Sequence, residues 1–444
     1  MRDSLGLPVS GASHAGFEHY QRALAELQRF VGDPVGSVDK AIAADPGFVM
    51  AHVLKGYLFG LATERDAMPV AKACHDAALQ LVATEREAAH VAALGRLADG
   101  RWHEASRILE DVSIGHPVDV LALQAGHQID FFTGNARLLR DRIARALPAW
   151  DKDMPGYHAI LGMQAFGLEE TGDYPRAEKF GREAIEIEPR DGWAQHAVAH
   201  VMEMQSRQRD GILWMRANQK GWTEESFLQV HNWWHLALFH YDLGETDAVL
   251  SLFDGPIYGS GSTFVLNMVD ASAILWRLHL GGVDVGDRWQ KLAANWTPKA
   301  AAGNYAFNDA HAMMAFVGAG MEAPARMLLE AQREAMAADD DNAGFTRDVG
   351  HPVSLAIKAF GEHNYKEAVR LLRPIPAIAH RFGGSHAQRD VIDLTLIEAA
   401  LRGGDRALAR ALTAERVLAR PDSPFSTLLT RRAAEIPRSQ SSDN

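Results

Sequence analysis

Period-two alternation of apolar and polar residues, the mark of a half-buried strand, is nearly absent from this 444-residue chain. What recurs is a helical pattern punctuated by small and helix-breaking residues at fixed offsets. Ala105 and Pro117 lie 5 and 17 residues after Gly100. Ala177 and Pro189 stand at the same offsets from Gly172, and Ala409 and Pro421 from Gly404. The pairs Ala93–Ala105 and Ala165–Ala177 add a 12-residue spacing of small residues, which Ala356–Ala368 repeats. Gly320 with Ala325 repeats the shorter offset.

A glycine suits a tight turn between helices, a small residue lets the next helix cross closely, and a proline ends it. Three full matches to this tetratricopeptide (TPR) pattern predict an all-α, TPR-like α-solenoid or superhelix. At roughly 34–36 residues per pair, the chain holds about a dozen helix pairs. The expected organisation is a single solenoid over residues 1–436 and a polar, disordered tail over 437–444. Residues 253–264 (FDGPIYGSGSTF) and 337–344 (AADDDNAG) read as longer loops.

Polar residues break the helical pattern in a second, more local way. His196 and His200 are four residues apart, as are His231 and His235, so each pair shares one helix face. Glu203, three beyond His200, joins the first face. Phased against the turn glycines Gly172 and Gly244, both clusters fall on first helices of adjacent repeats, directed to the concave side. Imidazoles and carboxylates grouped in this way suit a metal site, a proton-transfer site or a polar ligand pocket. Structural hydrogen bonding alone is the remaining reading. The candidate metal ligands are His196, His200, Glu203 and His235. The order H-x-x-x-H-x-x-E is not the zincin H-E-x-x-H.

His200, Glu203, His231, His235, Asp309 and His311 are candidate catalytic residues. Asn232 and Trp234, between the second pair of histidines, make an aromatic and polar wall of the kind that lines small-molecule pockets. Asn308 and His311 share a helix face more readily than Asp309 and His311 do. Ser385 reads as a helix N-cap with Gln388 as its capping-box partner. Arg389 beside that helix start suits a carboxylate or phosphate, so Gln388 and Arg389 complete the candidate substrate-binding residues.

Composition narrows the class further. Hydrophobic residues make up 47% and charged residues 23%, as in ordinary soluble, folded proteins. A formal charge of −12 argues against a nucleic-acid partner. No apolar run approaches a membrane span, so no membrane partner is expected. The single cysteine, Cys74, rules out an intramolecular disulfide. With no apolar signal segment at the N-terminus, the expected location is cytoplasmic.

Six segments in order carry a resemblance. They are DGWAQHAVAHVMEM (191–204), HNWWHLALFHYDLGE (231–245), VGDRWQ (285–290), FNDAHAMMA (307–315), RDVGHP (347–352) and GGSHAQRDV (383–391). In these segments the chain resembles the tetratricopeptide repeat protein 38 family, over about residues 157–393. That resemblance implies an all-α TPR-like fold and no particular reaction.

The expected function is binding of a small molecule in a His/Glu/Asp-lined concave channel, with hydrolysis of an amide or ester in a small metabolite. A divalent ion (zinc, iron or manganese) is the candidate cofactor, and a homodimer the candidate assembly. The alternative is a non-catalytic TPR scaffold that holds a peptide or partner protein in its groove. A closed cavity around the histidines favours chemistry, and an open groove favours the scaffold. Separation of His200 from His235 by more than about 12 Å excludes one shared ion.

Overall fold

The computed structural model describes residues 1–437, so the tail expected at 437–444 lies, apart from Pro437, outside the described residues. Among these residues the chain forms 25 α-helices and no strand, with two isolated bridges at Arg2–Pro8 and Val31–Ser226. Twenty-two of the helices make eleven sequential pairs, from His14–Arg29 with Pro34–Ala44 to His386–Arg402 with Arg406–Ala419. The remaining three are the short helices Gln219–Thr223 and Asp341–Phe345 and the last helix, Pro424–Glu435. The chain is an all-α, TPR-like superhelix.

The pair Tyr157–Glu169 and Tyr174–Ile187 shows how sequence makes the repeat. Gly172 adopts φ +82°, a left-handed conformation that costs a residue with a Cβ about 1–2 kcal/mol. The turn lets the Asp173 N–H donate to the Leu168 carbonyl at 2.9 Å, satisfying a carbonyl the helix end leaves free. The Asp173 side chain then caps the following helix by accepting from the Arg176 N–H. Ala165 and Ala177 are fully buried where the two helices cross. Larger side chains there would push the helices apart.

Two expected loops contain more helix than their composition suggests. Phe253–Ile257 is a π-helical turn broken at Gly255. Within 337–344, the Asp340 carboxylate accepts from the Ala343 N–H and starts the short helix Asp341–Phe345.

The superhelix winds far enough for its second half to close on its first. Asn308 Nδ2 donates to the Thr63 carbonyl and hydroxyl, both at 3.0 Å. Tyr305 stacks on Trp102 and donates its hydroxyl to the Phe132 carbonyl at 2.9 Å. Further along, Trp276 Nε1 donates to Thr395 Oγ1, and Arg277 Nη2 to the Ala387 carbonyl. One continuous hydrophobic core accordingly runs from Val9 to Ala433. Much of the concave side is filled by the chain itself. What remains is an open cavity of about 1190 Å³ where the two halves meet, bordered by Thr133, Met204, Asp340, Arg389, Asp390 and Arg420 among others. No helix among the described residues is long and apolar enough to cross a membrane.

Candidate functional site

Two neighbouring inner helices, Gly192–Met204 and Gln229–Asp242, supply four imidazoles to one point. Asp191 caps the first helix by accepting from the Ala194 N–H, and it also bonds His158 Nδ1 at 2.8 Å. The i,i+4 spacing places His196 above His200 and His231 above His235. Packing of the helices brings the two faces together. His196 Nε2 lies 2.8 Å from His200 Nε2 and 3.1 Å from His231 Nε2. The His200 and His235 ring centroids are 4.4 Å apart, far inside the limit for one shared ion. One donor atom from each of the four rings lies within 4.8 Å of the others. His196, His200 and His235 are buried, and His231 is partly exposed.

Carboxylates stand on the far side of three of these rings. His231 Nδ1 meets both Asp270 oxygens, at 2.9 and 3.0 Å. Glu169 Oε2 lies 3.6 Å from His200 Nδ1, and Glu203 Oε2 lies 3.4 Å from His235 Nδ1. Glu203, expected among the metal ligands, thus approaches the outer nitrogen of His235 instead of the four converging nitrogens. His231 occupies the fourth place in that convergence. Below it, Trp234 stacks on the His231 ring at 5.3 Å, and the Arg277 guanidinium lies over the same indole.

Burial dominates the electrostatics. It holds His196, His200 and His235 well below the usual imidazole range, and the neighbouring imidazoles push each of them further down. Glu169 is raised well above the carboxylate range by burial and then by the negative charges of Glu170 and Glu203. Burial therefore favours the neutral form of His196, His200 and His235, with nitrogen lone pairs available.

The expected histidine-lined channel is not formed, because none of the four histidines borders the cavity, and two charged bridges stand between the cluster and the cavity. Glu203 Oε1 accepts from Arg420 at 3.2 Å, and Arg420 also approaches Asp390, which Arg416 binds at 2.7 Å. Glu170, next to Glu169, pairs with Arg389 at 3.2 Å and accepts from the His386 backbone N–H at 2.9 Å. Burial opposes ionisation of Asp390, but Arg416 and Arg420 outweigh it and hold the carboxyl below its ordinary range.

The other expected residues lie elsewhere or are occupied. Asn232 is buried and donates to the Gly192 carbonyl at 3.2 Å. Gln388 completes the capping box with Ser385. Arg389 borders the cavity, held by Glu170 and the Gly384 carbonyl. His311 bonds the Phe307 carbonyl of its own helix at 2.8 Å, leaving Nε2 without a partner. Burial lifts Asp309 to about 7 and lowers His311 to about 4. Asp309 and His311 do not belong to the four-histidine group.

Glu169, Glu170, Asp270, Arg277 and Arg420 were not singled out by spacing. Asp270 and Arg277 did carry a signal, as charges within the apolar stretch Val265–Leu280 (VLNMVDASAILWRLHL). A charge in such a helix needs a buried partner.

No family model matches the chain. Among solved structures, the Cut9–Hcn1 hetero-tetramer of the APC/C is similar at 10% identity, with a TM-score of 0.44 over 95% of this chain and 76% of that one. The human IFIT1 dimer with m7Gppp-AAAA is similar at 12% identity, with a TM-score of 0.41 over 94% of this chain and 93% of that one. Yeast Tom70 is similar at 14% identity, with a TM-score of 0.32 over 95% and 88%. Likenesses of this degree transfer no ligand or partner to the chain.

Proposed function

We propose that this protein binds a small metabolite in its concave cavity and hydrolyses an amide or ester bond of it at the histidine cluster. The observation that carries this reading is the convergence of four imidazoles, backed by the acidic side chains of Glu169, Glu203 and Asp270, in one largely buried site. Ordinary helix packing has no use for that arrangement, because each buried polar group must find a partner. Inward imidazole nitrogens can activate water, either directly as a general base or through an ion that they hold. Arg389 and Arg420 at the cavity border suit an anionic group on the substrate, once it displaces a resident carboxylate partner.

Turnover of an amide and ester panel, followed for wild type, His200→Ala and His235→Ala, tests the proposal. General-base losses are typically about 100- to 10,000-fold, so a real activity should fall by at least about 100-fold in each variant. Activity that survives both substitutions would remove the cluster from the reaction.

A second reading is a scaffold that captures the end of a peptide or partner protein. The 1190 Å³ cavity is open, none of the four histidines borders it, and its border carries mixed charge, all of which favour this reading. Binding of a partner unaffected by His200→Ala and abolished by Arg389→Ala, in a protein without turnover, would select it. Membership of the tetratricopeptide repeat protein 38 family is part of our proposal and rests on the six ordered segments. Register-true alignment of all six with that family would support it, and alignment of the repeat glycines alone would count against it. A cytoplasmic location, consistent with the one free cysteine, is also proposed, and fractionation of expressing cells checks it.

A further inference from the structure

We infer that His196, His200, His231 and His235 together bind one divalent first-row transition-metal ion. The inference rests on these histidines being the functional site, but not on hydrolysis being the reaction.

Proton bookkeeping carries the argument. The Asp270 carboxylate opposite His231 Nδ1 places that ring's hydrogen on Nδ1, which leaves a lone pair on Nε2. Glu169 and Glu203 stand on the Nδ1 sides of His200 and His235 and favour the same tautomer there. Three Nε2 lone pairs then face the interior. His196 Nε2 touches two of them, those of His200 and His231, and can donate to only one. The other contact is lone pair against lone pair. His235 Nε2 has no hydrogen-bond partner at all, although it is buried. A cation at the convergence removes the lone-pair conflict and gives His235 Nε2 a partner, leaving the His196 hydrogen on Nδ1, which has no partner among the described residues.

The dimensions agree. Nitrogens bound to one ion at about 2.0–2.2 Å lie about 2.8–3.6 Å apart for ligand angles between a right angle and the tetrahedral angle. The separations of 2.8 and 3.1 Å fall within that span. The donor set also selects the class of ion. Four imidazole nitrogens suit zinc, iron, nickel or copper, whereas magnesium and calcium require oxygen ligands. The Asp270 and Glu203 carboxylates complete the arrangement from outside by holding His231 and His235 and balancing the charge. His231, the one partly exposed member, lies nearest to solvent.

The test is elemental analysis of the tag-free full chain grown in metal-replete medium, beside His231→Gln and Asp270→Asn. Chelator-treated protein is then titrated with zinc, iron(II), nickel and copper, with thermal midpoints as the readout. One ion per chain, a midpoint raised by re-added metal, and loss of both in His231→Gln are expected. Asp270→Asn should keep the fold and weaken affinity by about 10- to 100-fold. His231 is partly exposed, so its replacement tests binding without emptying the core. Wild type that holds only trace metal and shows no thermal response would overturn the inference, as would full occupancy in His231→Gln. Metal-bound protein without turnover would sink the hydrolytic reading alone.

Discussion

Glu203 and Arg420, 217 positions apart in the chain, meet at 3.2 Å in the layer between the histidine cluster and the concave cavity. Both are largely buried, so the pair ties the last full repeat to the helix that carries His196 and His200. Removing one partner strands the other charge in a poorly solvated place. We expect Arg420→Met to lower unfolding free energy by about 3–5 kcal/mol, and the added Glu203→Gln to restore part of the loss. Guanidinium unfolding of the two single variants and the double variant measures this. Strict additivity would show that the pair is not coupled.

Asp309 predicts an unusual pH dependence. Its carboxyl is raised from 3.8 to about 7 in the folded chain, mainly by burial. Below 3.8 both states hold the proton, and the group contributes no slope. Between 3.8 and about 7 the folded state keeps a proton that the unfolded state releases, so stability falls as pH rises. The decline attributable to this group is on the order of 4 kcal/mol and is complete above about 7. Asp309→Asn should flatten the profile over that window and stabilise the protein at pH 8 by on the order of 2 kcal/mol. Parallel slopes for wild type and variant would contradict the assignment.

Closure of the superhelix depends on groups that satisfy carbonyls across the seam. Tyr305→Phe removes the donor to the buried Phe132 carbonyl while leaving the ring stacked on Trp102. A cost of about 1–2 kcal/mol is expected. The variant should also show faster amide exchange along 120–132 and 306–318, the helices nearest the seam. Unchanged exchange there would mean that the seam is held by packing alone.

The turn at Gly172 offers a clean backbone test. A Cβ at this position would touch no other group, so Gly172→Ala reports only the φ of +82°. Its cost should be about 1–2 kcal/mol, with no change in metal content or binding. Denaturant midpoints and elemental analysis together check both halves of the expectation. A neutral substitution would mean that the turn relaxes to negative φ.

The sequence by itself determined what helices determine locally. The Gly–Ala–Pro offsets specify turn, crossing and helix end, because each acts through φ, side-chain size or a missing N–H within a few residues. The same locality put His196 with His200 and His231 with His235, since a helix repeats its face every 3.6 residues. It also made Ser385 and Gln388 legible as a cap. Tertiary structure decided which faces meet. Asp270 comes to His231 from 39 residues away, and Arg420 to Glu203 from 217. Those distances follow from the accumulated rotation of every intervening helix pair. That rotation also turned Glu203 from an expected ligand of the cluster into the outer partner of His235. The physical reason is that helical phase is a property of one helix, whereas the superhelical path sums small packing angles over eleven pairs.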